Sequence, residues 1–419
     1  MTELHESPDA LKEWLVRQAL LAPPVAQVAE RFAGRLAAMG LPIWRAHVGF
    51  STLHPQVESV GLTWTREGKR EREEFSHGAF ASIANTSPFY DAVPAAQEMA
   101  RKAGVDMQTA PIPMTRYRLE RGEGVAAYRL LADFRAAGGT DYLCFVIMFG
   151  NDGRYDEFSS GAAASFTTDR AGGFSDAEIA ALAGLMPHLG VALRAGAHVI
   201  TTRTLLETYL GGDVGRRVLR GEIRRGSVEA ISAAVLVGDL RGFTALADRM
   251  PRERLVGMLD DYLDCLVGPV EGAGGQVLKF LGDGLLATFA FDDREPSTVC
   301  TSAFTAARTA LGRVDALNGR RRQKRQPVTT FDLALHAGEV LYGNVGSHRR
   351  LDFTVVGPAV NEAARLEALC AELAVPIIAS RRFVDLLAAP GQFTSLGPRR
   401  LRGVRDPVEV FAPASAVEG

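Results

Sequence analysis

Cysteine is scarce in this chain: there are four in 419 residues, Cys144, Cys265, Cys300 and Cys370. They form no Cys-x-x-Cys pair and no zinc-binding spacing. Each lies in an apolar stretch, so they read as small buried hydrophobes in a reducing compartment. Net charge is nearly absent too, and a formal value of −2 excludes bulk electrostatic attraction to nucleic acid or to an anionic membrane. No apolar stretch reaches the roughly 18–20 residues that span a bilayer. The longest runs, such as Tyr142–Phe149 and Ala230–Val237, have strand length. The opening MTELHESPDALKEW is acidic and polar, without the basic start and apolar run of a secretory signal. These absences predict a cytoplasmic protein with no nucleic-acid or membrane partner.

What is present is enough apolar material for two cores, since 47% of the residues are hydrophobic. The length suggests two domains, at about 100–200 residues each, with a helical connector. Residues 8–40 carry two apolar stripes at helical spacing: Leu11, Trp14, Leu15, Ala19 and Leu20, then Val25, Val28, Phe32 and Leu36. Pro23-Pro24 separates them. Ile43–Ser51 and Ser59–Thr65 have strand composition, and Gly68–Glu74 reads as a charged turn or hairpin. Arg116–Glu120 and Gly124–Leu131 are two strands, or a strand and a helix. Tyr142–Phe149 and Ser160–Thr168 are buried strands. After a Gly-rich turn, Ser175 and Glu178 stand at capping-box spacing, which predicts a helix from Asp176 to about Val199. This strand–turn–helix ending resembles small ligand-sensing domains of the GAF type, with a PAS-like domain as the alternative. His47, His54 and His77 are scattered and point to no metal or haem.

Residues 198–228 read as a helical linker. Its apolar residues Leu205, Leu206, Tyr209, Leu210, Val214, Val218, Leu219 and Ile223 need a partner surface, as in a dimerising signalling helix. From residue 229 the pattern turns into a regular α+β alternation. A strand Ile231–Val237 precedes a helix with Thr244 as its cap. A hairpin follows, Gln276–Phe280 and Leu285–Phe291, then a helix over Val299–Leu317 and an exposed basic loop Arg320–Arg325. Next come the strand Asp332–His336, a turn at His336–Glu339, a strand at Val340–Gly343, and a helix over Ala359–Leu373.

Two carboxylates stand out in the second half. Asp239 ends the strand in AVLVGDLRGFT, just before a helix start. Asp283 sits between two glycines at the tip of the hairpin KFLGDG. Paired carboxylates at neighbouring strand ends suit hard divalent cations that share ligands with substrate phosphates. The helix start at Phe243 and Thr244 suits a triphosphate. Asn361 and Arg365 are four apart and share one helix face.

The set VLVGDLRGFT, GGQVLKFLGDGLLATF, ALHAGEVLYGNVGS, LDFTVVGPAVNEAARLE and LRGVRDPVEVF, in register over about a domain's length, resembles the class III adenylyl/guanylyl cyclase catalytic domain. The resemblance implies a ferredoxin-like α/β core within residues 229–419, following a sensor over 1–197. It implies that Asp239 and Asp283 bind two Mg2+ or Mn2+ ions per site. Lys279 and Thr354 would read the purine, and as a Lys/Thr pair they indicate ATP; guanylyl cyclases typically carry Glu and a Cys-like residue there. Asn361 would orient the ribose and Arg365 would stabilise the transition-state phosphorus. Arg402 stands where many members have Lys, so it keeps the charge but not the shape. Members assemble head to tail, so a homodimer with two complete sites is expected, making cyclic AMP under the control of a small-molecule or ionic signal. Thr at the Thr354 position recurs among bicarbonate-responsive members. Pro358 is less usual than a small polar residue at its place.

Overall fold

The computed structural model describes residues 7–78, 87–88, 92, 112–149, 161–403 and 406–417. The chain divides into two compact units, Met1–Leu205 and Leu206–Gly419. The first six residues, Ser160 and residues 404–405 of the last motif lie outside the described residues.

In the first unit, α1 (Pro8–Leu21) is capped by Ser7, whose hydroxyl accepts from the Ala10 amide at 3.2 Å. Leu11 and Leu15 are fully buried, but Leu20 is 81% exposed. Leu20 lies five residues past Leu15, about 140° around the helix, and so leaves the stripe. After Pro23-Pro24, α2 (Val25–Ala38) buries Val25, Val28, Phe32 and Leu36 as expected. Six antiparallel strands follow: β1 (Arg45–Ser51), β2 (Ser59–Thr65), β3 (Arg70–Phe75), β4 (Met114–Arg118), β5 (Asp141–Met148) and β6 (Gly161–Thr168). Their order in the sheet is β3-β2-β1-β6-β5-β4. The charged segment after Gly68 is therefore one arm of a hairpin. Between β4 and β5 stands α3 (Arg129–Ala136), which begins later than the pattern suggested.

The capping box forms. The Ser175 amide donates to Glu178 Oε2 at 2.7 Å, and the Glu178 amide to Ser175 Oγ at 3.4 Å. The helix it opens, α4 (Asp176–Leu210), runs eleven residues beyond Val199 and carries the chain from one unit into the next. By length and composition it could cross a membrane, contrary to the reading of the apolar runs. Yet Leu182, Leu185, Met186, Leu189, Ala192 and Leu193 pack in the first unit's core.

The second unit holds α5 (Gly212–Leu219), β7 (Val228–Leu240), α6 (Phe243–Ala247), α7 (Arg252–Gly272), β8 (Gln276–Leu281), β9 (Gly284–Ala290), α8 (Pro296–Gln323), β10 (Phe331–Gly346), β11 (Leu351–Val356), α9 (Pro358–Glu367), α10 (Leu369–Leu373), β12 (Ile377–Ser380), α11 (Arg381–Val384), β13 (Phe393–Arg399) and β14 (Val408–Pro413). The sheet order is β13-β14-β12-β10-β7-β9-β8, with β11 paired to β10. The four strands β10-β7-β9-β8, crossed over by α7 and α8, have the ferredoxin-like arrangement. Helices α7 and α8 cover one face through Met258, Tyr262, Leu266, Ala303 and Val314. On other surfaces α5 and α9 contribute Val214, Ala359 and Ala363 to a second cluster.

Four local expectations are corrected. Thr244 does not cap a long helix. Gly242 precedes a five-residue helix without a side-chain cap, and Pro251 stands just before the start of α7. The basic run at Arg320 is no loop: α8 continues to Gln323, and Arg321 is 7% exposed. Its guanidinium stacks 5.6 Å over Tyr262 and donates to Pro327 O and Asp261. No turn interrupts the chain at His336, because β10 runs straight through for 16 residues. His336 is 4% exposed, its pKa lowered to about 4 by burial, and Nδ1 meets Ser380 Oγ at 2.9 Å. Finally, the helix starting at Pro358 ends at Glu367, and a second, offset turn completes the segment. Pro358 occupies the first turn of α9, where its missing N–H costs nothing.

Candidate active site

Asp239 is the penultimate residue of β7, and Asp283 lies in the β8–β9 turn. Gly282 takes φ +73°, which lets the chain reverse there. Because β9 pairs with β7, Leu285 opposite Gly238, the turn is delivered beside the end of β7. Gly284 permits that approach. A Cβ at this position would stand 2.3 Å from Gly238 O and 2.7 Å from Asp239 Oδ1.

The Asp239 carboxyl is pushed up to about 6, first by burial and then by the charges of Asp283 and Asp332. Asp332 lies directly across the ladder from Asp239. Its own charge is engaged by Arg241, whose Nε donates at 2.9 and 3.1 Å and whose Nη2 adds a short bond. Among the described residues no cation lowers the Asp239 value. Two crowded carboxylates without a cationic counterpart form the donor set that a hard divalent ion fits.

A third carboxylate belongs to this neighbourhood and escaped the sequence. Glu367, at the end of α9, is pushed up to about 7 by burial and by Asp239, Asp332 and Asp283. The signal available was a Glu two residues past Arg365 in the same motif. Asp332, a lone charge at the start of an apolar strand, offered a signal of the same local kind.

Arg365 does not share that side. Two residues before Glu367 it lies about 200° around the helix, and its Nη2 is 3.4 Å from where a Gly403 Cβ would be. Asn361, one turn earlier on the Arg365 face, is exposed. Arg365 does not pair with Glu362, which instead faces His336 Nε2 at 3.6 Å. The chain thus holds its two aspartates on one side of α9 and its Asn–Arg pair on another. Arg402 is exposed in the turn beside Gly403. Phe243 is partly buried against the core, and Thr244 is exposed.

Lys279 and Thr354 are brought near one another. Lys279 Nζ donates to Asp352 Oδ2 at 3.0 Å. Asp352 and Thr354 alternate onto the same face of β11, opposite the one on which Phe353 and Val355 pack. Thr354 is 5% exposed, and among the described residues its Oγ1 has no hydrogen-bond partner.

A family model for the adenylate and guanylate cyclase catalytic domain matches residues 227–412. Those residues are a class III nucleotide cyclase catalytic domain. An adenylate cyclase of Anabaena cylindrica is 31% identical over 176 residues, covering 41% of this chain and 34% of that protein. Adenylate cyclase 1 of Rhizobium meliloti is 26% identical over 182 residues, 43% of this chain and 27% of that one. The chain thus spans about a third of the length of the curated relatives it matches. The adenylyl cyclase CyaB from P. aeruginosa covers 44% of this chain and 94% of its own, at 23% identity and a TM-score of 0.40.

Just ahead of the cyclase domain, α5 is tied to its sheet. Arg217 stacks 5.0 Å over Tyr342 and 6.0 Å over Phe353, and bonds Asp213 at 2.9 Å and Glu229 at 2.6 Å. Tyr342 OH donates to Asp213 Oδ2 at 3.0 Å. Phe353 adjoins Thr354, so this clamp ends beside a candidate purine reader.

Proposed function

We propose that the chain is an adenylyl cyclase that converts ATP to 3′,5′-cyclic AMP and pyrophosphate in a cytoplasmic homodimer, with a GAF-like sensor in its first unit. The observation that carries the choice of adenine is the buried, unpartnered Thr354 hydroxyl on the face that Lys279 reaches. A hydroxyl can both donate and accept, and an ammonium only donates. Together they match a ring-nitrogen acceptor beside an exocyclic amine.

Asp239 and Asp283 would hold Mg2+ or Mn2+, two ions per site. Bound there, the ions would neutralise triphosphate charge and favour the ionised 3′-hydroxyl. The ribose 3′-oxygen attacks the α-phosphorus in line, and pyrophosphate leaves. Asn361 orients the ribose, and Arg365 offsets the charge that grows at the phosphorus. Arg402 and the backbone amides of Phe243 and Thr244 hold phosphate oxygens. The opposed faces of α9 support a divided site, in which one chain supplies the aspartates and its partner the Asn–Arg pair.

The test is to incubate the full chain with ATP or GTP in Mg2+ and in Mn2+, and to resolve the products by chromatography. Cyclic AMP from ATP, lost in Asp283→Ala, is expected. Faster turnover of GTP would overturn the adenine assignment.

A further inference from the structure

Alternation along the strands of the first unit gives its sheet two faces. Ala46, Val48, Phe50, Leu62, Leu143, Phe145, Ala164 and Phe166 enter the core with α1, α2 and α4. The opposite face mixes polar with apolar residues: Tyr142, Cys144 and Val146 pack there with Leu119 and Leu131, and much of the polar part is buried. Two rows of facing residues cross four strands there: Thr65, Arg45, Thr167 and Tyr142, and beside it Thr63, His47, Ser165 and Cys144. Thr167, Tyr142 and Cys144 are fully buried, Ser165 is 2% exposed and Thr63 6%.

Arg45 offers five N–H groups. Its Nη2 meets Thr63 Oγ1 at 3.1 Å and His47 Nδ1 at 3.4 Å, and its guanidinium lies 5.0 Å over the Phe134 ring. Among the described residues no carboxylate pairs with it. Glu71 and Glu73, at the sheet edge, are exposed, and Glu71 is held by Lys69. His47 is neutral, its pKa lowered to about 3 by burial and by Arg45.

Two hydroxyls farther along the same row, on β6 and β5, are orphans. Tyr142 OH and Thr167 Oγ1 are buried, and neither has a hydrogen-bond partner among the described residues. Ser165 and Cys144 lie close to Tyr142 but outside hydrogen-bonding geometry. A buried polar atom left unsatisfied costs about 1–3 kcal/mol, and native domains keep only a few. Two of them in the same row as a half-buried, unpaired guanidinium call for a missing acceptor.

We propose that this sheet face binds a small molecule through an oxyanion, a carboxylate or a phosphate, held by Arg45 with Tyr142 OH and Thr167 Oγ1 as further donors. The planar guanidinium suits two oxygens at once. The inference deepens the reading of the first unit as a sensor, but the binding itself does not depend on cyclase activity.

The experiment is isothermal titration of the full chain, in EDTA, with inorganic phosphate, with succinate, and with glycerol as an uncharged control. One of the two anions is expected to bind saturably, and which one separates phosphate from carboxylate. Arg45→Gln should weaken that binding by roughly tenfold or more, the loss of a hydrogen-bonded charge. Tyr142→Phe should weaken it severalfold while leaving the free chain's melting temperature unchanged or higher, because its hydroxyl satisfies nothing without ligand. Arg402→Gln should have no effect on it. The proposal is overturned if neither anion binds, if binding survives Arg45→Gln, if it is lost with Arg402→Gln, or if Tyr142→Phe destabilises the free chain. Binding that leaves cyclic AMP production unchanged would retain the site and remove the sensor reading.

Discussion

Asp239 illustrates at the residue scale how a proposed metal-binding group costs stability. Its carboxyl sits at about 6 in the folded chain against an ordinary value of 3.8. The folded state therefore holds the proton more tightly. That contribution is fully present below about 3.8 and is lost as pH rises through about 6. At neutral pH, without metal, an ionised Asp239 opposes folding. Asp239→Asn should raise the metal-free stability at pH 7.5 by on the order of 1 kcal/mol, after solvent screening of a half-buried group. It should do little at pH 4 and should abolish turnover. Urea unfolding in EDTA at both pH values checks this, and a variant less stable than the parent at pH 7.5 would contradict it. The aspartates were legible because glycines and a strand end surround them. Glu367 was not, because nothing in a linear motif says which side of a helix meets a neighbouring strand.

At the scale of elements, the clamp between α5 and the cyclase sheet is the sharpest case. The linker's apolar residues were read as needing a partner surface, and Val214 finds one within the second unit, at 3% exposure. Arg217 secures it by stacking and by ion pairs to both flanks. Arg217→Ala should cost roughly 1–2 kcal/mol, from one cation–π contact and charge-assisted bonds that are partly exposed. It should also release protection in α5 and in residues 220–229 ahead of any global opening. Urea unfolding with hydrogen-exchange mass spectrometry reads both. Unchanged exchange in α5 would mean that Val214 alone seats the helix. Periodicity located this helix but placed its partner nowhere, since Tyr342 and Phe353 lie over 120 residues away.

At the scale of the whole molecule, the opposed faces of α9 bear on assembly. If one chain supplies the aspartates and the other the Asn–Arg pair, complementation follows from two-fold symmetry. Asp239→Ala and Arg365→Ala should each be inactive alone. Mixed and allowed to exchange, they should recover about a quarter of the parent activity, since half the dimers are mixed and each has one intact site. No recovery despite demonstrated exchange would place the whole site within one chain.

Local sequence determined β1, β2 and β5 to β9, the capping box at Ser175, the Pro23-Pro24 break and the proximity expected of Asp239 and Asp283. Each depends on alternation, a side chain reaching its own backbone, or a glycine-flanked turn, and all of these act within a few residues. Tertiary structure decided the rest. His336 lies within one unbroken strand because β7 pairs along nearly all of β10. Arg321 is buried because Tyr262, Asp261 and Pro327 surround it. Glu367 joins the aspartates, and Arg45 stands beside two unpartnered hydroxyls, through sheet registers that no local pattern encodes. Burial and charge are set by neighbours distant in sequence, so the chemistry of these side chains exists only once the sheets have formed.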